Sequence, residues 1–291
     1  MNGGEVRRRL LGDLLAVGAP YGLALAGADA VRAHGLVDRP GRDIEVATES
    51  PVGAGDIVTA VLTGLEQRGW RVRTSETEPL AARLVVGEPG VGGREAGAGT
   101  ETGTGAAAEA GTETRAETGA RPAAETEART ETEARTETEA RTETEARTGT
   151  EAGTETSATE EFIVQVVKEV LWRPLEVGEF GPVLSLEDLV GTRVRALAGQ
   201  GLAPDLVDVH AAADRWSHPE LEELGRRHAG DVFDLADLQT RLVGSEWIDD
   251  REFAACGLGD RAIAELRRWA QEWADDIGER LAESAAPPDD E

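Results

Sequence analysis

Cysteine, methionine, tyrosine and lysine each occur once in 291 residues, and lysine stands beside 29 arginines. A single thiol excludes a disulfide framework and fits a reducing cytoplasm. Cys256 and the four histidines, His34, His210, His218 and His228, show no metal-ligand spacing, so a zinc centre has no donor set. Basic residues are few, 30 against 57 acids for a net charge of −27, which excludes a generic polyanion-binding surface. Long apolar runs are absent as well. The longest uncharged stretch near the start, Leu14 to Ala28, is cut from Arg7-Arg8-Arg9 by Asp13 and broken by Pro20 and Gly22. It is shorter than the ~20 apolar residues of a membrane span and is read as helix, turn and buried strand, not as a secretory signal. No Gly-x-Ser-x-Gly, Walker or dinucleotide-binding pattern occurs. The preference for Arg over Lys, with abundant Ala, Gly and Glu, fits coding from a GC-rich bacterial genome.

What is abundant is Glu, Thr, Ala, Gly and Arg, and it is concentrated. Residues 95–161 hold 17 Glu and 6 Arg, including four perfect copies of Glu-Thr-Glu-Ala-Arg-Thr between Glu125 and Thr148. A six-residue period turns successive copies to different sides of a helix, so no apolar stripe forms. Frequent Thr opposes helix as well, and the reading is a disordered insert tolerated between two strands. The remaining sequence carries all the Trp and Phe, enough for a core of one to two domains.

Hydrophobic periodicity outlines that core. Val6, Leu10, Leu14 and Val17 share one helical face, and Leu23 to Ala26 forms a buried strand. Gly27 opens a short helix that Gly35 stops. Asp43 to Ala47 alternates as a half-buried strand. Asp56 is expected to cap a helix carrying Ile57, Val61 and Leu65, followed by strands around Trp70–Arg73 and Arg83–Val86. After the insert, Phe162 to Val167 is apolar on both faces except for Gln165, as in a central strand. Ser185 begins a helix cap, and helical spacing continues to Ile277, with Trp269 and Trp273 read as core or subunit contact and not as a stacking platform for nucleic acid. The expected fold class is α+β, a small mixed sheet followed by helices. Its parts are residues 1–94, the insert at 95–160, completion of the sheet domain at 161–200, a helical region at 201–284 and an acidic tail at 285–291.

The chemistry-bearing pair is Asp43 and Glu45. Acids at i and i+2 on a strand project to one face while Ile44 enters the core, so they can share a divalent cation or hold two. A polar face on an edge strand accounts for the pair equally well. Upstream, a strand ends at Gly27, where a glycine lets backbone N–H groups approach a triphosphate.

The succession of Gly27, a short helix to His34-Gly35, and Arg39-Pro40-Gly41-Arg42-Asp43-Ile44-Glu45 resembles the AbiEii-type nucleotidyltransferases, within the polymerase-beta-type superfamily. These are toxin halves of bacterial type IV toxin–antitoxin and abortive-infection systems. Val164 to Glu169, Gly181 to Gly191, Arg195 to Leu197 and Gly201 to Val209 are similar in the same order. The resemblance covers residues 20–90 and 160–245. It implies Mg2+ bound by Asp43 and Glu45, an NTP held by Gly27, Ala28 and Arg193, and assistance to proton transfer or base positioning from Asp205. It also implies an RNA acceptor, with tRNA foremost, a cognate antitoxin and no membrane. Arg32, Arg39, Arg42, Arg193 and Arg195 are expected to give the acidic chain a local basic face.

Five positions depart from the family pattern. Ala28 replaces a Gly or Ser, Asp29 puts a carboxylate near where phosphates would lie, Glu45 replaces Asp, Pro204 replaces the Arg of an Arg-Asp pair, and Gln165 stands at the third carboxylate. Two readings remain open: a magnesium-dependent nucleotidyltransferase, and a catalytically degenerate relative that binds a nucleotide or a protein.

Overall fold

The computed structural model describes residues 3–39, 41, 43–88 and 161–285. The chain opens with α1 (Gly3–Gly18), whose Val6, Leu10 and Leu14 are buried as their spacing predicts. Then come β1 (Ala24–Leu25), α2 (Gly27–Ala33), β2 (Asp43–Thr48), α3 (Ala54–Gln67), β3 (Arg71–Thr77) and β4 (Ala81–Gly87). The cap of α3 is Gly53; Asp56, expected there, lies in the first turn, where its charge still favours the helix N-terminus. The repeat insert placed at 95–160 and residues 286–291 of the acidic tail lie outside the described residues.

The second stretch begins with β5 (Glu161–Lys168) and two short strands, β6 (Glu176–Val177) and β7 (Pro182–Val183). Helices follow: α4 (Leu186–Gln200), α5 (Ala203–His210), α6 (His218–Ala229), α7 (Leu235–Val243), α8 (Asp250–Ala255) and α9 (Asp260–Ala285). Ser185 caps α4 as expected, its hydroxyl accepting from the Asp188 N–H at 3.1 Å. Among the described residues, no helix is long and apolar enough to cross a membrane.

The strands form one mixed sheet in the order β3-β4-β5-β2-β1-β7-β6. β5 runs parallel to β2 and antiparallel to β4, which makes it the central strand that its two-sided apolar pattern predicts. Ile44, Val46, Leu84, Val86, Val164 and Val166 are buried on one face together with apolar residues of α1 and α3. The opposite face carries Asp43, Glu45, Gln165 and Arg83, and it is this face that the helical region partly walls.

The apolar core divides within α4. Leu189 joins the sheet core, whereas Val190, Val194 and Leu197 join a second core built from α5 to α9, with Trp273 fully buried in it. One helix therefore belongs to both layers and fixes the wall of the cleft against the sheet. Its contact with α6 is close because both partners present glycine there. A Cβ on Gly191 would meet the Leu224 carbonyl oxygen at 2.7 Å, and one on Gly225 would meet Val194 Cγ1 at 2.6 Å.

Gly191→Ala is therefore expected to destabilise the fold by about 1–3 kcal/mol through overpacking. Gly12→Ala, where nothing lies within 4 Å of the added carbon, is expected to stabilise α1 by about 0.5–1 kcal/mol. Denaturant unfolding of the two variants beside the parent checks both signs.

Candidate active site

β2 and β5 pair in parallel with Asp43 opposite Ile163 and Glu45 opposite Gln165. Because side chains alternate along a strand, Asp43, Glu45 and Gln165 share one face. They line a cleft of about 840 Å³ together with Ala28, Arg39, Arg193 and Asp205. The residues expected at the site are thus brought together, although α4 and α5 lie some 150 residues beyond β2 in sequence.

Each acid already has a partner. The Gln165 amide Nε2 donates to Asp43 Oδ2 at 3.0 Å. Arg193 donates from Nη2 to Glu45 Oε2 at 2.7 Å and from Nη1 to Asp205 Oδ1 at 3.0 Å, and its Nε lies 3.7 Å from Asp208 Oδ2. Arg39 grips Asp208 with two bonds, Nε to Oδ1 at 2.9 Å and Nη2 to Oδ2 at 2.6 Å. Burial alone would lower the Arg193 value, but Glu45, Asp205 and Asp208 outweigh it and hold the guanidinium well above its ordinary value. Burial pushes the Asp205 carboxyl up against the opposing pull of Arg193, and the nearby Asp208 and Glu45 charges push the same way.

Gly27 makes the room for this cluster. Its φ is +58°, in the left-handed region, and a Cβ there would come within 2.6 Å of Glu45 Oε2 and 2.9 Å of Arg193 Nη2. The space expected to cradle a triphosphate is therefore bordered by the Glu45–Arg193 pair. Asp29, the carboxylate that would repel phosphates, is buried and taken up by Arg7 Nη2 at 2.8 Å.

The donor set can be tested against a divalent cation. Two carboxylates on one face each keep one oxygen with no bond among the described residues, and the third position is a neutral amide. Among the described residues no group of three or more Asp, Glu, His or Cys is placed to hold a metal. The arrangement fits one Mg2+ between Asp43 and Glu45, once Arg193 yields Glu45. A second ion would lack its third acid.

The expected basic face is not what the structure presents. Arg39 and Arg193 are bound to buried acids, Arg195 to both oxygens of Glu169, and Arg32 to Asp38 and the Arg39 carbonyl. Arg42 lies outside the described residues. The reason is electrostatic: in so acidic a chain, arginines brought near carboxylates are neutralised by them. Sequence reading missed Arg83 of β4, which lines the cleft beside Gln165. It also missed that Arg39 is the partner of Asp208, a pair 169 positions apart that no local pattern reveals. His34 caps the C-terminus of α2 and bonds the Leu184 carbonyl at 2.8 Å.

At the far end of the cleft a second polar cluster joins sheet and helices. The buried ring of His228 lies between Asp188, with Nε2 to Oδ1 at 3.2 Å, and Glu169, with Nδ1 to Oε2 at 3.9 Å. Asp188 also accepts the backbone N–H groups of Trp172 and Arg173, and Arg195 bonds both Glu169 and the His228 carbonyl. Burial alone would lower the imidazole value, but the bond to Asp188 and the nearby charges of Asp188 and Glu169 raise it. Burial alone would raise the two carboxyls, and their partners hold both down.

No family model matches the chain, and no curated protein matches it. Among solved structures, JHP933 from Helicobacter pylori is similar at 12% identity and a TM-score of 0.47, over 98% of this chain and 96% of that one. A second H. pylori structure, provisionally assigned as a nucleotidyltransferase, is similar at 11% identity and a TM-score of 0.47, over 99% and 100%. MenT4, a nucleotidyltransferase toxin of Mycobacterium tuberculosis, is similar at 13% identity and a TM-score of 0.48, over 92% and 82%.

The His228 cluster sets a pH window. The raised imidazole contributes stability that is complete below its ordinary value of about 6.5 and is lost as pH rises through the folded value. The lowered carboxyls contribute above their ordinary values of about 4 and lose that contribution as pH falls through the folded ones. Unfolding free energy is therefore expected to decline on the alkaline side of about pH 6.5. His228→Gln should flatten that decline, as denaturant titrations between pH 5 and 9 would read.

Proposed function

We propose that the chain is a nucleotidyltransferase that moves a nucleoside monophosphate from an NTP to a hydroxyl of an RNA acceptor, tRNA foremost. In this reading it is the toxin component of a bacterial toxin–antitoxin or abortive-infection system with a cognate antitoxin. The observation that carries the reading is Asp43 and Glu45 on the cleft face of β2, with Gly27, left-handed and without a Cβ, making room for Glu45 and its partner Arg193. The order of motifs in the sequence supports the same chemistry.

The transfer balances simply. The acceptor hydroxyl oxygen forms a bond to the α-phosphorus, the bond from that phosphorus to pyrophosphate breaks, and the hydroxyl proton passes to a base. A Mg2+ held by Asp43 and Glu45 would neutralise developing charge on the phosphoryl oxygens. Arg193 and the backbone at Gly27 and Ala28 would receive the triphosphate, and the phosphates would replace Glu45 on the Arg193 fork. Glu45 is the partner free to leave, since its side chain is 32% exposed against 7% for Asp205 and 0% for Asp208. Burial of Asp205 moves its carboxyl in the direction that a proton acceptor near neutrality needs.

A specific observation favours a second reading, a degenerate module that binds a nucleotide or a protein without transfer. Gln165 stands opposite Glu45 and spends its amide on Asp43 where a third acid would contribute charge.

Purified protein with Mg2+, each labelled NTP in turn and bulk bacterial RNA is expected to label RNA. Asp43→Ala should cut the rate at least about 100-fold, a loss of ~2.7 kcal/mol of transition-state stabilisation. Induced expression should arrest growth, and Asp43→Ala should relieve the arrest. Gln165→Asp is expected to raise the labelling rate if the missing acid limits it. A folded protein that binds nucleotide yet labels nothing, before and after Gln165→Asp, moves the assignment to the binding module.

A further inference from the structure

Four arginines line the cleft among the described residues: Arg39, Arg83, Arg193 and Arg195. Three are bound to buried acids, as described above. Arg83 is exposed and has no hydrogen bond or ion pair from its side chain among the described residues. Its backbone position is fixed by register: Arg83 of β4 faces Gln165 of β5, which faces Glu45 of β2. Arg83, Gln165 and Glu45 therefore form one row across three neighbouring strands, with side chains on the cleft face.

The local backbone turns on Arg83. The β3–β4 pairing carries a β-bulge between Thr74 and Glu76, and the extra residue, Ser75, donates its hydroxyl to the Arg83 carbonyl at 3.2 Å. Bulges bend a strand and re-aim a side chain, and they concentrate beside active sites. Glu76 is the Cα partner of Arg83 across this pair but forms no ion pair with it, so the guanidinium keeps its charge for a ligand.

The geometry points to Arg83 as the residue that holds a phosphate of the acceptor strand, and so to a phosphodiester acceptor and not a protein hydroxyl. This rests on the nucleotidyltransferase reading above. In an in-line displacement the attacking and leaving oxygens lie on opposite sides of the phosphorus. With the triphosphate on the Gly27 and Arg193 side of Glu45, pyrophosphate leaves toward β1, and the acceptor enters across β5 from β4. Arg83 stands on that approach. A guanidinium matches phosphate with two parallel N–H donors, which an ammonium cannot reproduce. In a chain of net charge −27, a polyanion is held only where a cation is left unneutralised.

The test uses the full chain, fluorescently labelled bulk tRNA followed by anisotropy across a salt series, and calorimetric binding of each NTP. Arg83→Ala is expected to weaken tRNA binding about three- to tenfold and Arg83→Glu further. The slope of log affinity against log salt should fall in magnitude by about 0.7–0.9, the value of one lost phosphate contact. Arg83→Lys should restore the slope and part of the affinity. NTP affinity should stay within about twofold throughout, a separation that a structural defect would not produce.

Arg83→Glu that binds tRNA as the parent does overturns the inference. So does a variant that loses NTP affinity in parallel, since Arg83 would then serve the nucleotide. Parent protein that binds NTP but no tRNA at low salt overturns it too, leaving nucleotidyl transfer to another acceptor intact. Parent protein that binds neither removes the nucleotidyltransferase reading itself.

Discussion

Arg193 is the constraint on which the site depends. Its guanidinium meets Glu45 from the central sheet and Asp205 and Asp208 from α5, and so ties a strand to the helical layer through one charge. Three carboxylates around a single cation would repel one another, and Arg39 supplies the second positive charge by clasping Asp208. The cluster therefore carries three negative charges against two positive ones in a largely dry place. Removing one partner from such a group costs more than the pair contributes, because the others stay buried without compensation. The position of α4 follows, and with it the wall of the cleft, since α4 also carries Leu189 into the sheet core and Val190 into the helical one.

The same economy of charge accounts for what was legible in the sequence and what was not. Periodicity located β2, β5, α1 and α4, because burying one face requires Ile44, Val164, Leu10 and Leu189 at fixed spacing, and Ser185 marked a helix start by its own hydrogen bond. Asp43, Glu45 and Gly27 were legible for a related reason: their geometry is local, two acids two residues apart and a glycine at a junction. Partnership between distant charges was not. Nothing near Arg39 announces Asp208, nothing near Arg7 announces Asp29, and an arginine counted as free from the sequence proved neutralised once folded. The glycines that let α4 approach α6 were equally silent, since the close contact depends on helices that only the assembled core brings together.

Gln165 and Asp29, the two departures that most oppose phosphate chemistry, differ once placed. Asp29 is buried and paired with Arg7, so its charge is spent away from the cleft. Gln165 remains on the cleft face and holds Asp43 through its amide. An amide in this position can fix the orientation of Asp43 without adding negative charge, whereas a third acid would demand more cationic charge nearby. The cleft has little cation to offer, with Arg39, Arg193 and Arg195 each committed to buried acids. A neutral residue opposite Glu45 is therefore consistent with the rest of the electrostatics.

That balance also orders the events that substrate binding would require. In the proposed reaction a triphosphate approaching Gly27 would meet the Glu45–Arg193 pair, and only an anion could replace Glu45 on the guanidinium without leaving it unpaired in a buried place. Once displaced, Glu45 would be an uncompensated acid beside Asp43, a condition that would favour a divalent cation. In the proposed reaction nucleotide and cation would thus be coupled through one side chain, each removing the charge that the other leaves exposed. With neither present, the fork of Arg193 closes on Glu45 and the two carboxylates of β2 stay apart in function, one held by an arginine and the other by an amide.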